Sequence, residues 1–322
     1  MKSEFLTAFG LLAALAFPLD SPAQPYPSKT VRIVVAFAPG GATDLIARTL
    51  AKKLTEAWGQ SVVVENRAGA SGIIGTESVA KSAPDGYSLL LATQTTHAAN
   101  PGLYRKLPYD PVRDFAPVTL VGSTPLALVA HPSVPANTLR ELIDYLKKNP
   151  GKVSYAGGNG TSQHLTAELF KTLAGVDIVH IPYKGAAPGM ADLLAGHVVL
   201  MFDNLPTALP HVRAGKLKIF AVTSAARTAL APDVPTLDES GLAGYAVVTW
   251  FGVFAPANTP HDVVAKINGE IVRILRLPEI RQSLGGQGVE LVGNLPDEFA
   301  AFHRNELEKW SKMIKDSGAK LD

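Results

Sequence analysis

One local pattern occurs twice in this chain, and it limits the folds that the chain can adopt. A short, apolar, β-branched strand is followed by a glycine loop and then by an amphipathic helix, first at residues 31–58 and again, about 120 residues later, at residues 153–174. A buried strand joined to a helix by a short loop is the unit from which parallel sheets are built. Two such units predict two similar lobes, each with its own sheet, and a ligand between them at the carboxyl ends of the strands.

The remainder of the chain supports this two-lobed α/β prediction. Strand and helix patterns alternate throughout, except in two stretches with little periodicity, at residues 107–125 and 225–245. If both stretches are crossovers between the lobes, the first domain is discontinuous and combines residues 24–124 with 249–322. The second domain then comprises residues 125–248. A chain of 322 residues is long enough for each domain to bury a core of its own.

The N-terminus has the features of an export signal. Lys2 precedes an uncharged apolar run at residues 5–17, which is too short to span a bilayer comfortably as a helix, and small residues follow at Ser21-Pro22-Ala23. We therefore predict a signal peptide at residues 1–23 and a periplasmic mature protein. The alternatives are a short N-terminal anchor and a buried helix. No later segment reads as a transmembrane helix.

The composition argues against several classes of function. The chain has no cysteine, which excludes disulfides, thiol nucleophiles and a lipid attached through cysteine. Its formal net charge of +2 gives no electrostatic reason to expect binding to nucleic acid or to anionic membranes. We therefore expect a soluble monomer without a nucleic-acid partner and without stable membrane insertion.

The residue patterns of common enzymes are also missing from the sequence. There is no G-x-S-x-G motif, and Ser71 has glycines at the wrong spacing. The eight histidines include no pair within one helical turn and no H-E-x-x-H motif. No paired carboxylates stand out. We therefore predict that the protein is not an enzyme and that it carries neither a metal nor an organic cofactor.

The two glycine loops are the best candidates for a binding site. Each follows a strand and opens a helix, so unpaired backbone N–H groups and the positive end of a helix dipole are available to a ligand. The candidate residues are Gly40, Gly41, Thr43 and Asp44 in the first loop and Gly158, Thr161 and Ser162 in the second. No Gly-Lys-Ser/Thr follows, and the second loop fails the last position of a dinucleotide fingerprint. The pattern favours a small anion over a nucleotide.

Ordinary helix capping is the alternative explanation for both loops. Thr43 and Thr161 could bind the N–H groups of their own helices. A third helix, opened by Thr138, carries Glu141 three residues later, which makes a capping box. The helices that open at Thr43 and Thr161 carry isoleucine and histidine at that position. We therefore expect these two helix starts to leave backbone donors free for an outside acceptor.

Three more residues lie where strands are expected to end in the cleft. Asp203 follows an apolar strand and could contact a ligand or cap the helix that begins at Leu205. Phe37 and Tyr183 could form walls of a pocket, although aromatic residues at strand ends also serve as core residues.

Several motifs together resemble a known family. They are Pro39-Gly40-Gly41 with Thr43-Asp44, Val64-Glu65-Asn66-Arg67, Pro84-Asp85-Gly86-Tyr87, His180-Ile181-Pro182-Tyr183-Lys184-Gly185, Met201-Phe202-Asp203-Asn204, and Pro235-Thr236-Leu237 ahead of Trp250. From about Tyr26 to its C-terminus, the chain resembles the extracytoplasmic solute receptors of the tripartite tricarboxylate transporter family, often called Bug receptors.

This resemblance implies a type II periplasmic binding-protein fold with two crossovers. It implies a carboxylate held in the cleft by both glycine loops, partly through waters. The implied ligand-binding residues are Phe37, Gly40, Gly41, Thr43, Asp44, Thr95, Gly158, Thr161, Ser162, Tyr183 and Asp203. The sequence departs from the family at Ala68 and Ser71, where proline and glycine are common, so the resemblance does not define the path of the loop at residues 66–72.

The resemblance also implies a function and partners. Such receptors capture small carboxylates, including di- and tricarboxylates, acidic amino acids and aromatic acids, and serve membrane transporter subunits. Two alternatives remain open at this point. A periplasmic co-receptor that signals to a sensor kinase would bind its ligand in the same way, and an enzyme could be built on the same scaffold.

Overall fold

The computed structural model describes residues 26–317, so the signal peptide predicted at residues 1–23 lies outside the described residues. The strands are β1 (Val31–Val35), β2 (Val62–Asn66), β3 (Ser88–Thr93), β4 (Phe115–Ala130), β5 (Ser154–Gly158), β6 (Val179–Tyr183), β7 (Leu200–Asn204), β8 (Lys218–Val222), β9 (Val248–Pro256) and β10 (Glu290–Leu291). The helices are α1 (Ala42–Trp58), α2 (Ile73–Ala80), α3 (Asn100–Leu103), α4 (Leu139–Lys148), α5 (Ser162–Ala174), α6 (Ala186–Ala195), α7 (Leu205–Arg213), α8 (His261–Leu275), α9 (Pro278–Ser283) and α10 (Pro296–Ser317). A π-helical turn at Thr95–Ala99 follows β3.

The strands pair in the order β2-β1-β3-β9-β4-β7-β5-β6, and β8 and β10 also pair with β4. In the half that we call the first lobe, β1 runs parallel to β2 and β3. In the second lobe, β5 runs parallel to β6 and β7. The strands β1 and β5 lead directly into α1 and α5. Both glycine loops therefore lie at the carboxyl ends of parallel strands, where open α/β sheets bind their ligands.

The helices that follow the glycine loops agree with the periodicity of the sequence. Ile46, Leu50 and Leu54 form a fully buried face of α1. The helix ends at Gly59, which takes the left-handed conformation with φ of +65° that favours glycine at a helix end. The range of α5 is the one predicted from the sequence. Within residues 26–317, no helix combines the length and the apolarity needed to cross a membrane.

Strand β4 is longer than the sequence predicts. The apolar run at residues 126–130 predicts a short strand after a proline-rich connection, whereas β4 begins at Phe115. Its first part pairs with β9, and residues 126–130 pair with β7 and β8. The register with β9 shifts next to Pro117 and again before Gly122, which accommodates residues that fit poorly in a regular ladder. The prediction that this strand begins only at residue 126 is therefore wrong, whereas the crossover at residues 107–125 stays a prediction.

The two lobes share strands and part of their core. β4 runs through the predicted domain boundary at residues 124/125, and β9 begins at the boundary at residues 248/249. Buried side chains of these strands, including Leu120, Leu128 and Trp250, belong to one apolar cluster with residues of both lobes. The division into residues 24–124 plus 249–322 and residues 125–248 stays a prediction.

Candidate ligand-binding site

A cavity lies between the lobes at the carboxyl ends of β1, β3, β5 and β7. Its volume is about 40 Å³, so the lobes lie close together around it. The lining residues are Phe37, Ala38, Gly41, Ala42, Thr43, Asp44, Thr93, Thr95, Thr161, Ser162, Gln163, Gly185, Ala186, Asn204 and Thr249.

Four helices begin at this cavity. Their N-cap residues are Gly41 for α1, Thr161 for α5, Gly185 for α6 and Asn204 for α7, and all four residues line the cavity. Each helix start has backbone N–H groups without an intrahelical partner and carries the positive end of the helix dipole. The cavity is therefore a place where a negatively charged group is stabilised by backbone dipoles from both lobes.

Among the described residues that line the cavity, Asp44 is the only one with an ionisable side chain, and none is a lysine or an arginine. Its carboxylate accepts hydrogen bonds from the Gly40 N–H at 3.0 Å, from Arg48 Nε at 2.9 Å and from Asn66 Nδ2 at 2.9 Å. Burial alone would raise the pKa of Asp44, but these bonds outweigh it and lower the pKa. Asp44 is thus charged and occupied by bonds within its own lobe, so the cavity offers an anion no countercharge from a side chain.

The starts of α1 and α5 differ from the prediction in their details. Helix α1 is capped by Gly41 rather than Thr43, which places Asp44 at the third helical position. In α1, α5 and α4 alike, the side chain at this position accepts the backbone N–H of the residue before the N-cap. The three pairs are Asp44 with Gly40 at 3.0 Å, His164 with Gly160 at 3.1 Å, and Glu141 with Asn137 at 2.8 Å. The contrast that the sequence suggested between α4 and the other two helices is therefore wrong.

A different contrast separates these helices. Thr138 caps α4 by accepting the Glu141 N–H at 3.2 Å. Gly41 has no side chain to do this for α1, and the Thr161 hydroxyl donates to the Gly158 carbonyl at 2.7 Å instead of capping α5. The first turns of α1 and α5 therefore lack a side-chain cap, as expected for helix starts that bind an outside acceptor.

Hydroxyl and amide groups surround the same point of the cavity. The Ser162 N–H donates to Thr95 Oγ1 at 3.3 Å, and Thr249 Oγ1 lies 3.4 Å from Ser162 Oγ. The buried atoms Thr93 Oγ1 and Asn204 Oδ1 have no hydrogen-bond partner among the described residues. Such groups can bond the oxygens of a carboxylate or a hydroxyl on the same ligand.

The cavity brings together seven of the eleven predicted site residues, namely Phe37, Gly41, Thr43, Asp44, Thr95, Thr161 and Ser162. Gly158 and Tyr183 line an adjoining cavity of about 160 Å³ that shares Phe37 and Thr161 with the first. The Tyr183 hydroxyl donates to Asp192 at 2.6 Å. Gly40 lies on the outer side of the loop, where a Cβ atom would come within 3.3 Å of Ala187.

Asp203 lies behind the cavity. It is fully buried, and its carboxylate accepts hydrogen bonds from Gln163 Nε2 at 3.0 Å and from Thr207 Oγ1 at 2.6 Å. Burial raises the pKa of Asp203 to about 6. The N-cap of α7 is Asn204, so Asp203 is not the cap either. Asp203 is connected to the cavity by its hydrogen bond with the lining residue Gln163.

Eight lining residues did not emerge from the sequence: Ala38, Ala42, Thr93, Gln163, Gly185, Ala186, Asn204 and Thr249. Thr93 and Asn204 are polar residues at the carboxyl ends of buried strands, and that signal could have identified them. Thr249 lies near the start of β9 and reaches the cavity only through long-range strand pairing, which local sequence patterns do not reveal.

Residues 46–319 match the profile of the TctC family, described as tripartite tricarboxylate transporter family receptor. Three solved structures are similar over their whole length. The periplasmic binding protein BugD is 39% identical with a TM-score of 0.88 and covers 92% of this chain and 100% of its own. Rpa4515 of R. palustris with adipate is 38% identical, with a TM-score of 0.89 and the same coverage. MatC from Rhodopseudomonas palustris with bound malate is 33% identical, with a TM-score of 0.86, 90% of this chain and 100% of its own. These likenesses confirm the predicted two-lobed periplasmic binding-protein fold.

Proposed function

Because this chain belongs to the tripartite tricarboxylate transporter receptor family, a family of periplasmic solute-binding receptors and not of enzymes, we propose that it captures a small carboxylate in the cavity between its lobes. The structurally similar proteins Rpa4515 and MatC were solved with adipate and with malate. Both ligands are small carboxylates, and this supports the same ligand class here.

The convergence of four helix starts on a cavity without lysine or arginine carries this proposal. A carboxylate is planar, accepts several hydrogen bonds and carries a single charge, which suits backbone N–H groups and helix dipoles. A sugar would not need four positive dipole ends. A polyphosphate carries more charge, and proteins usually bind it with lysine, arginine or a metal ion.

We assign roles to the proposed site residues on this basis. The first turns of α1 and α5 supply backbone donors to the carboxylate from Ala42, Thr43 and Gln163, since the Ser162 N–H already donates to Thr95 Oγ1. The hydroxyl of Thr95, which follows β3 in the first lobe, and the hydroxyl of Thr249, near the start of β9, donate hydrogen bonds to the carboxylate oxygens. Phe37 packs against the hydrocarbon part of the ligand. Gly40, Gly158, Tyr183 and Asp203 support the loops without touching the ligand in this arrangement.

We further propose that the mature protein acts in the periplasm after removal of residues 1–23, as a monomer that hands its ligand to membrane subunits of a tripartite transporter. The family description supports the transporter partnership. Purified periplasmic protein should have the intact mass of a chain that begins at Gln24, and full-length protein recovered from membranes would contradict the export proposal.

A ligand panel tests the proposed function. Thermal unfolding is followed with malate, adipate, glutamate, benzoate and citrate, and with glucose and AMP as controls. A ligand present at 100 times its Kd adds about 2.7 kcal/mol of stability, which corresponds to a shift of several degrees. We expect at least one carboxylate to give such a shift and the two controls to give none. A shift with glucose or AMP alone would refute the proposal.

A further inference from the structure

Ser71 has a backbone conformation that side chains rarely adopt. In the loop before α2, Ala70 and Ser71 have φ of +45° and +53°, in the left-handed region that favours glycine. The neighbouring Gly69 and Gly72 also have positive φ values. A serine in this position therefore carries backbone strain that a glycine would not, and a strained residue suggests that its side chain has a purpose.

The Ser71 side chain bridges the two lobes. Its hydroxyl donates to the backbone carbonyl of Asn159 at 2.5 Å, and Asn159 belongs to the glycine loop that opens α5 in the second lobe. Ser71 Oγ also lies 2.7 Å from the hydroxyl of Tyr104 in the first lobe. Because the single proton of Ser71 is used on Asn159, Tyr104 must be the donor to Ser71.

The backbone of Ser71 is held in place as well. Its carbonyl accepts a hydrogen bond from Asn100 Nδ2 at 3.0 Å, and the same amide lies 3.3 Å from the hydroxyl of Tyr109. Tyr109 in turn donates to the Thr96 carbonyl at 2.8 Å, in the π-helical turn that carries Thr95 to the cavity. The hydroxyl of Ser71 is thus presented to the second lobe from a braced position beside the proposed site.

We propose that Ser71 is a positioning residue that holds the lobes together over the bound solute. Its bond to Asn159 exists only when the first-lobe loop meets the glycine loop of the second lobe. Every contribution of this bond therefore favours the closed arrangement over an open one. The effect on ligand binding rests on the proposed function, whereas the effect on closure does not.

Paired substitutions separate the effect of losing the Ser71 hydroxyl from the effect of relieving backbone strain. Ser71→Gly removes the bridge and relieves the left-handed backbone, whereas Ala70→Gly relieves the backbone next to it and leaves the bridge intact. Ser71→Ala keeps the strain and removes only the hydroxyl. The carboxylate that gives the largest thermal shift is then titrated by calorimetry. We expect both Ser71 variants to raise its Kd by about three- to tenfold, mainly through faster dissociation, and Ala70→Gly to bind like the parent.

Closure is measured without relying on a ligand. The chain has no cysteine, so Ala57→Cys and Leu173→Cys, at exposed positions near the far ends of α1 and α5, can carry spin labels. In the Ser71→Gly background we expect the distance distribution to shift towards longer distances, and in the Ala70→Gly background to match the parent. Identical distributions in both backgrounds would refute the bridge as a closing contact. A parent that binds no carboxylate but shows the Ser71-dependent shift would refute the proposed function and leave the bridge supported.

Discussion

The carboxylate of Asp203 accepts a hydrogen bond from Gln163 Nε2 at 3.0 Å, and this bond fixes the orientation of an amide that lines the cavity. An ionised carboxylate only accepts hydrogen bonds, so the NH₂ group of Gln163 must face Asp203. The amide oxygen then faces the Thr161 hydroxyl, which lies 3.1 Å away and donates its proton over the shorter distance to the Gly158 carbonyl. A fully buried acid thereby determines which end of the amide faces the second glycine loop.

Replacing this acid should change how stability depends on pH. Burial raises the pKa of Asp203 to about 6, from its ordinary value near 4. The folded parent therefore binds a proton that the unfolded chain has lost, and the parent loses stability as the pH rises from about 4 to 6. Asp203→Asn cannot ionise, so its stability relative to the parent should increase by up to about 3 kcal/mol between pH 4 and pH 7. Urea unfolding at both pH values measures this difference.

Comparing the two pH values cancels the part of the change in unfolding free energy that does not depend on pH. An asparagine at residue 203 must turn its NH₂ group towards Gln163 or Thr207, and this mismatch costs the same at pH 4 and pH 7. A stability difference that is independent of pH would show that Asp203 titrates normally.

The anion site predicts an unusual tolerance for a buried charge. Ser162 is the first residue of α5, is buried and lines the cavity. In Ser162→Asp, the new carboxylate occupies the place of the ligand carboxylate, and the helix starts offset its burial. We expect the free energy of unfolding to change by less than about 1 kcal/mol and carboxylate affinity to fall by more than about tenfold.

His261→Asp is the matched control for this variant. His261 is the exposed first residue of α8, whose start does not line the cavity. The control should bind ligand like the parent. If Ser162→Asp instead loses several kcal/mol, as an uncompensated buried charge does, the cavity does not stabilise anions.

The histidine behind the second glycine loop should respond to pH in the opposite sense. Burial, aided by the nearby His180, lowers the pKa of His164 to about 4, while Glu168 acts against this and Lys171 with it. Over this range His164 binds a proton in the unfolded chain but not in the folded protein. The parent therefore loses stability as the pH falls from about 6.5 to 4. In His164→Gln the amide oxygen can still accept the Gly160 N–H. The variant should gain about 2–3 kcal/mol relative to the parent between pH 7.5 and pH 4.5.

Chemical unfolding of both proteins across this pH range tests the prediction. His131→Gln is a suitable control because the imidazole of His131 bonds Ser133 near the surface of the second lobe. Equal pH dependence of His164→Gln and the parent would mean that His164 is accessible to solvent protons in the folded protein.

A close approach between the lobes gives a further prediction. Gly185 has φ of +156°, and a Cβ atom there would lie 3.2 Å from both the Cβ and the backbone nitrogen of Ala38 in the other lobe. Gly185→Ala should therefore hinder closure and weaken carboxylate binding by about tenfold or more. Gly215→Ala, at φ of +67° with open space around it, controls for backbone strain alone. Equal binding by both variants would show that the lobes need not meet at Gly185.

The sequence was most informative where local pattern and global fold coincide. The apolar periodicity of α1 and α5 and the glycines before them predicted two helices that begin at the carboxyl ends of strands, and both helices do so. The alternative in which Thr43 caps α1 is wrong, because Gly41 occupies the N-cap position with an extended backbone.

Which side chains face the cavity depends on tertiary packing, and the sequence could not predict it. Asp203 and Asn204 are adjacent at the end of one strand, and successive side chains of a strand point to opposite faces. Either residue could have faced the cavity, and the packing of α5 and α7 decides that Asn204 lines it and Asp203 lies behind it. The length of β4 was hidden for a similar reason, because pairing with β9 overrides the local effect of Pro117 and Pro125.

The continuity of β4 has a mechanical consequence for a receptor of this kind. A strand of 16 residues, paired along one part with β9 and along another with β7 and β8, joins the lobes as a hydrogen-bonded ribbon rather than as two slack linkers. A ribbon of this type flexes across its flat face far more readily than within its plane. We therefore expect the lobes to swing along a single arc, which returns Ser71 to Asn159 and α1 to α5 with the same alignment after every cycle of capture and release.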